Sequence, residues 1–201
     1  MSIRQAVILC GGKGERLGDA LRYSPTVVIP KPLIEVGGKP FITYAINMLK
    51  GIGFEDIVLL CRHLVEHFKF LSDETIRVIG IPTSWTLPES MAKGDISEEV
   101  LSVPNLQDIF LLLNSDSFPL MDWRAFVNTE DPRVAVKMIG RDAGVAIVSK
   151  WDVKSGVVRC LDIKGMMDEY ENYVVLGGLH IGTPQGLQRA RAFIDIAVYG
   201  Q

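Results

Sequence analysis

The sequence predicts an α/β domain of three layers, with helices on both faces of a mostly parallel sheet. Short, continuously apolar runs of strand length alternate with amphipathic stretches of helical length, and the strongest run, Ile109 to Asn114 (IFLLLN), contains no charge. A strand apolar along its whole length is covered on both faces, the situation of a parallel sheet with helical crossovers. At 201 residues and 48% hydrophobic, the chain can bury a core without disulfides or a structural metal.

The first half follows a β-α-β-α-β order. Ala6 to Cys10 reads as a strand, Phe41 to Lys50 as a helix, Ile57 to Cys61 as a strand, Leu64 to Leu71 as a helix and Ile76 to Ile81 as a strand. Each crossover is expected to be right-handed. Asp95 to Val103 fits a helix, and Ile109 to Asn114 fits a central strand with Asp116 at its carboxyl end. Beyond it, Val134 to Ile139, Val145 to Ser149, Val157 to Ile163 and Tyr173 to Ile181 read as strands without long helices between them, so this half is expected to be mixed or antiparallel. Thr183 then offers a capping hydroxyl and Pro184 a first helical residue. Leu187, Ala190, Ile194 and Ala197 follow at helical spacing. No repeat or linker divides the chain.

Composition narrows the function. With 21 basic and 24 acidic residues the net charge is −3, which argues against general attraction to nucleic acid or to an acidic membrane surface. Any bound anion must therefore be held by a local site. Cys10, Cys61 and Cys160 are too widely spaced for a zinc pattern and lie in apolar runs, as expected of reduced, buried thiols in a cytoplasmic protein. No run reaches the roughly 20 apolar residues of a membrane span, and the N-terminal apolar run is too short for a signal peptide. His63 and His67 match an HxxEH pattern, but with no third ligand in view they read as solvent-facing residues.

The chemistry concentrates in Cys10-Gly11-Gly12-Lys13-Gly14-Glu15-Arg16-Leu17, directly after the first strand, where a parallel sheet presents its carboxyl ends to ligands. Glycines let the backbone approach a polyphosphate closely, and the exposed amides with Lys13 and Arg16 supply donors and positive charge. The spacing is neither that of a Walker A loop nor that of GxGxxG. Downstream, Pro30-Lys31-Pro32 fixes the backbone around one lysine, which suits an ammonium aimed at one place.

With these residues in view, the sequence resembles the sugar-1-phosphate nucleotidylyltransferases. Their opening GGxGxRL and PKP stand here as Gly11 to Leu17 and Pro30-Lys31-Pro32. Val36 to Phe41 looks like the stretch that precedes the family's first long helix, and Asn114-Ser115-Asp116 resembles its N-G-D metal-binding turn. Ala143-Gly144-Val145 and Gly177-Gly178-Leu179 resemble two later family strands.

The resemblance implies a Rossmann-like fold of the nucleotide-diphospho-sugar transferase type. It also implies one domain over residues 1–201, in which 1–120 bind nucleotide and 121–201 bind sugar phosphate. The implied reaction joins an NTP and a sugar 1-phosphate to give an NDP-sugar and pyrophosphate. Carried over by position, Gly11, Gly12, Lys13, Gly14 and Glu15 would bind nucleotide, with Met91 in the base-reading stretch. Arg16 would neutralise the leaving pyrophosphate, Lys31 would sit on the α-phosphate and Asp116 would hold Mg²⁺. Gly144, Asp162, Lys164 and Gly178 would bind the sugar phosphate, and a homo-oligomer is compatible with the family.

Three departures stand out. The base-reading stretch is altered at 87–94, the family's E-K-P reads Ile163-Lys164-Gly165, and the second metal-binding aspartate of a late D-x-G strand is not evident. Asp195 resembles that aspartate superficially but falls on helical spacing. Two alternatives follow: transfer to a non-sugar phosphorylated acceptor, or a non-catalytic relative that binds nucleotide sugar.

Overall fold

The computed structural model describes residues 3–12, 14–24, 27–81, 96–129, 133–138, 141–158 and 170–199. In chain order the strands are β1 (Gln5–Leu9), β2 (Arg22–Ser24), β3 (Val27–Val28), β4 (Glu35–Val36), β5 (Lys39–Pro40), β6 (Asp56–Cys61), β7 (Ile76–Gly80), β8 (Ile109–Asn114), β9 (Ser117–Pro119), β10 (Val134–Met138), β11 (Arg141–Ser149), β12 (Glu171–Val175) and β13 (Gly178–His180). The helices are α1 (Ile42–Gly51), α2 (Ser97–Leu101), α3 (Trp123–Val127), α4 (Lys150–Ser155) and α5 (Pro184–Tyr199).

Seven strands form the central sheet in the order β12-β10-β11-β8-β1-β6-β7. The pairs β8-β1, β1-β6, β6-β7 and β10-β12 are parallel, and β11 runs antiparallel to both of its neighbours. The expected change of character in the second half is thus real, and one reversed strand carries it. Alternation along the strands divides the core into two faces. Ala6 and Ile8 of β1 with Ile57 and Leu59 of β6 pack against Ile42, Ile46 and Leu49 of α1 and Phe126 of α3. Val7, Val58 and Leu60 face the other way, toward Val100 of α2 and Val153 of α4. This is the three-layer arrangement that continuously apolar strands imply.

A third cluster lies outside these two layers. Leu187, Ala190 and Ile194 of α5 pack with Leu17, Leu21, Ile34, Val36, Leu179 and Ile181. Helix α5 begins as expected, with Pro184 first and the Thr183 hydroxyl accepting from the Gly186 amide at 3.1 Å.

Three elements differ from expectation. The second crossover is a 3-10 helix, Val65–Leu71, preceded by Leu64 at φ 51°. Leu64, held in the left-handed region, cannot serve as the first residue of the expected α-helix. Tyr173 to Ile181 is two strands in different sheets: β12 sits on the edge of the main sheet, whereas β13 pairs antiparallel with β9. Exposed Leu176 and then Gly177 carry the chain between them. Val157 and Val158 are not in a strand, and the rest of that expected strand, with Cys160, lies outside the described residues. No described helix is long and apolar enough to cross a membrane.

Candidate active site

The chain leaves β1 for β6 and β7 on one side and then returns to place β8 on the other, so the order reverses at β1. In open α/β sheets the crevice beyond the carboxyl ends of the strands at such a point receives ligands. Both predicted motifs end there. The ladder continues past the strands, with the Cys10 amide donating to the Leu60 carbonyl at 2.8 Å and the Ser115 amide to the Leu9 carbonyl at 3.3 Å. The glycine turn and Asp116 therefore leave the sheet side by side.

The turn is built for close approach. Gly14 has φ +68°, and a Cβ there would meet Leu21 Cδ1 at 2.8 Å and Lys31 Cβ at 3.2 Å. Only glycine combines that backbone with that space. The Leu17 amide closes the turn on the Gly14 carbonyl at 2.8 Å, and buried Leu17 and Leu21 anchor it against α5. Arg16, directly before the first of these anchors, is exposed on the cleft. Glu15 opens the 3-10 helix Glu15–Leu21.

Lys31 follows Pro30 at φ −57° and is held by buried Pro32 and Leu33. Its Nζ lies 2.7 Å from Asp116 Oδ2, with the two side chains 12% and 14% exposed. On the other oxygen, the Ser117 hydroxyl donates to Oδ1 at 3.2 Å, and His180 Nδ1 stands 4.0 Å away. Burial raises the Asp116 pKa, but the Lys31 ammonium and its hydrogen bond, with His180 and Ser117, outweigh it and hold the carboxyl below its usual range. Asp116 is thus an ionised, partly buried carboxylate paired with the Lys31 ammonium.

Two adjoining cavities share Gly11, Gly12, Lys31 and Arg62 in their walls. Asp116 and Glu99 line one, while Gly14, Arg16 and Gly182 line the other. Arg62, the first residue after β6, packs its stem over Gly11 and pairs with Glu99, which is buried on α2. Sequence reasoning missed Arg62, Glu99, His180 and Gly182. An arginine directly after the second parallel strand was the available signal for the first of these.

Of the expected sugar-side residues, Gly144 on β11 packs against the Asn114 side chain and Gly178 opens β13 opposite Pro119. Neither lines these two cavities. Lys13, Met91, Asp162 and Lys164 lie outside the described residues. Asp195 is on α5, in keeping with its helical spacing. Among the described residues His63 and His67 belong to no metal-ligating group, and His63 borders the cleft. Cys10 and Cys61 are buried free thiols, and burial, with Cys61 beside it, pushes the Cys10 thiol well above its ordinary value.

A glycine turn, three cationic side chains and one ionised carboxylate meet at the switch point of this α/β sheet. Comparison with known proteins gives the class. Residues 6–89 match the model of the MobA-like NTP transferase domain. The chain is 26% identical over 199 residues to mannose-1-phosphate guanyltransferase of Schizosaccharomyces pombe, covering 92% of this chain and 51% of that protein. It is 37% identical over 170 residues to CMP-5'-(3-aminopropyl)phosphonate synthase of Streptomyces rubellomurinus, covering 83% and 24%. The fold superposes on CTP:phosphocholine cytidylyltransferase of Streptococcus pneumoniae with a TM-score of 0.68 and 18% identity, over 96% of this chain and all of that one. The fold is that of the nucleotide-diphospho-sugar transferases. The chain is thus similar to nucleotidylyltransferases that act on sugar 1-phosphates and on other acceptors. It spans about half, or less, of the length of these two curated relatives.

Proposed function

We propose that the protein transfers a nucleotidyl group from an NTP to a phosphorylated acceptor, and that the acceptor is a sugar 1-phosphate. An oxygen of the acceptor phosphate attacks the α-phosphorus, the bond from that phosphorus to the bridging oxygen breaks, and pyrophosphate leaves. No general base is needed, since the acceptor is already anionic, so catalysis rests on positioning and charge neutralisation. The observation that carries this reading is the Lys31–Asp116 pair at the mouth of the glycine turn.

In this reading the amides of Gly11, Gly12 and Gly14 bind the triphosphate, helped by Lys13 and Glu15, and Arg16 neutralises the leaving pyrophosphate. Lys31 exchanges its carboxylate partner for the α-phosphate. Met91 belongs to the base-reading stretch. Residues 121–201 supply the acceptor side through Gly144, Asp162, Lys164 and Gly178. The residues present fit a divalent cation: Asp116 is ionised, is paired with a single exchangeable ammonium, and lines the cavity beside Gly11 and Gly12. Asp116 would hold Mg²⁺, which supplies charge neutralisation on the phosphate oxygens.

A non-sugar acceptor is the second reading. The phosphonate-acting and phosphocholine-acting proteins similar to this chain favour it. A pyrophosphate-release screen separates the two, with the common NTPs set against sugar 1-phosphates, phosphocholine and an aminoalkylphosphonate in the presence of Mg²⁺ or Mn²⁺. Release with one sugar 1-phosphate supports the proposal, and release with only the other acceptors replaces it with the second reading. No release with any acceptor, together with no calorimetric binding of any NTP, overturns both.

A further inference from the structure

The two glycines that open the turn are each covered by a cationic side chain. A Cβ at Gly11 would lie 3.0 Å from Arg62 Cγ and Cδ, and one at Gly12 would lie 3.5 Å from Lys31 Nζ. Gly11 has no positive φ, so the arginine stem, and not the backbone conformation, is what leaves no room for a side chain there. Strand pairing puts the stem in place. Leu9 of β1 is in register with Leu60 of β6, and the Cys10 amide donates to the Leu60 carbonyl at 2.8 Å, so the residues after the two strands leave the sheet together.

The Arg62 guanidinium is anchored through Nη2, which pairs with Glu99 Oε1. The Glu99 side chain is 9% exposed and that of Arg62 35%, so the carboxylate is fixed in the wall while the guanidinium reaches the cavities. A guanidinium carries five N–H donors in a planar fork, and one edge can stay on Glu99 while another takes a second anion. Leaving the buried carboxylate unpaired would be costly, so the pair persists when a ligand arrives. Arg62 thus differs from Lys31, which has to exchange its partner. The lining says what the second anion is. Among the described residues, Arg16, Lys31, Arg62 and His63 border the second cavity and no carboxylate does. In a chain of net charge −3, that is a local concentration of positive charge suited to several phosphates in a row.

We propose that Arg62 is a third phosphate-binding side chain of the cleft, beside Arg16 and Lys31, and that Glu99 anchors it over Gly11. With Lys31 on the α-phosphate, Arg62 takes the part of the chain that leaves as pyrophosphate. The inference rests on the reading above that the glycine turn holds a triphosphate. A purely structural pair, tying the end of β6 to α2, would predict that Arg62 and Glu99 matter equally for binding.

The test uses inorganic tripolyphosphate and pyrophosphate as probes, so it requires neither the base nor the acceptor to be known. Calorimetry on the full chain, with Mg²⁺ held constant, compares the wild type, Lys31→Ala, Arg62→Ala and Glu99→Gln, and urea midpoints are recorded for each. Arg62→Ala is expected to bind both probes about tenfold more weakly or worse, the worth of a hydrogen bond to a charged group. Glu99→Gln keeps an acceptor for the guanidinium and removes a negative charge from the cavity, so it is expected to bind them several-fold more tightly. Weakening in Glu99→Gln as large as in Arg62→Ala makes the pair structural and overturns the proposal. Wild-type affinity in Arg62→Ala, with weak binding in Lys31→Ala, also overturns it and leaves the triphosphate reading standing. A wild type that binds neither probe overturns that reading and this inference with it. Should Arg62→Ala fail to fold because Glu99 is left unpaired, the double variant Arg62→Ala with Glu99→Gln carries no unpaired charge. It is then compared with Glu99→Gln alone, and the same tenfold loss is expected.

Discussion

Two carboxylates at opposite edges of the sheet, Asp152 buried and Asp116 partly buried, show how an ion pair serves different ends. Asp152, at the start of α4, is fully buried and takes the Arg133 guanidinium in a fork, Nη2 to Oδ1 at 2.7 Å and Nε to Oδ2 at 3.1 Å. Its Oδ2 also accepts from the Ser149 hydroxyl at 2.7 Å and the Tyr170 hydroxyl at 3.1 Å. Ser149 pairs with Ile109, the first residue of β8, so this cluster lies at the amino edge of the parallel strands. Asp116 lies at the carboxyl edge of the same strand. Lys31, the Ser117 hydroxyl and His180 at 4.0 Å surround it, and it borders a cleft. The first carboxylate accepts four side-chain hydrogen bonds and faces no cleft. The second is held by a flexible ammonium that can be exchanged.

The largest effect expected from this contrast is on stability at the saturated end. Removing one partner of a buried, hydrogen-bonded pair costs about 3 to 5 kcal/mol. Asp152→Ala is expected at the low end of that range, because Arg133 is partly exposed and can turn toward water. Urea unfolding measures the loss, and Mn²⁺ binding by the folded variant is expected to stay at the wild-type level. Asp116→Asn should lower the urea midpoint by much less, through loss of the stabilising charge that its depressed pKa reports, while abolishing metal binding. Equal losses of stability in both variants would erase the distinction.

Next comes turnover. Arg16→Ala and Lys31→Ala each remove a charge aimed at phosphate, and loss of one such preorganised group costs about 100-fold or more in the chemical step. Single-turnover kinetics on the acceptor found by the screen measures this, and near-normal rates for both would remove the cleft from the reaction. Lys31→Ala carries a second, smaller expectation. In the resting site the ammonium competes with any cation for Asp116, so without phosphates the variant is expected to bind Mn²⁺ several-fold more tightly than the wild type. Exposure of the pair is low, and the Coulomb term between charges at this separation is correspondingly larger than in bulk water.

The sequence made half of this comparison visible. The glycine turn, Lys31 between two prolines and Asp116 after the strongest apolar run are local patterns, and local patterns survive in one dimension. The partners that give Asp116 its character come from far away in the chain. Arg62 reaches Gly11 because β6 pairs with β1, and His180 reaches Asp116 because β13 pairs with β9. Strand pairing is a long-range choice that periodicity does not encode. A search for a carboxylate in a late D-x-G strand also passes over His180-Ile181-Gly182, although it directly precedes the capping Thr183 and Pro184. The saturated cluster was invisible for the same reason, since Arg133, Asp152 and Tyr170 meet only in the folded sheet.

The smallest expected effect is a pH dependence, and its sign follows from the partners of Asp116. Burial alone would raise its pKa, but Lys31, His180 and Ser117 bring it below the ordinary value near 3.8. A carboxyl whose folded pKa is depressed binds fewer protons in the native than in the unfolded state. Its stabilising contribution is therefore fully present above the unfolded value and is lost as pH falls through the folded one. Asp56, beside Arg77, is shifted in the same direction despite its own desolvation, so the wild-type acid limb sums at least these two groups. Urea midpoints followed through tryptophan fluorescence, from about pH 6 down to about pH 3, should fall for the wild type below about pH 4. Asp116→Asn should flatten that limb without abolishing it, because Asp56 and Arg77 are untouched. An unchanged acid limb in Asp116→Asn would mean that Lys31 does not hold the carboxylate in solution, and the resting exchange between ammonium and metal would lose its starting point.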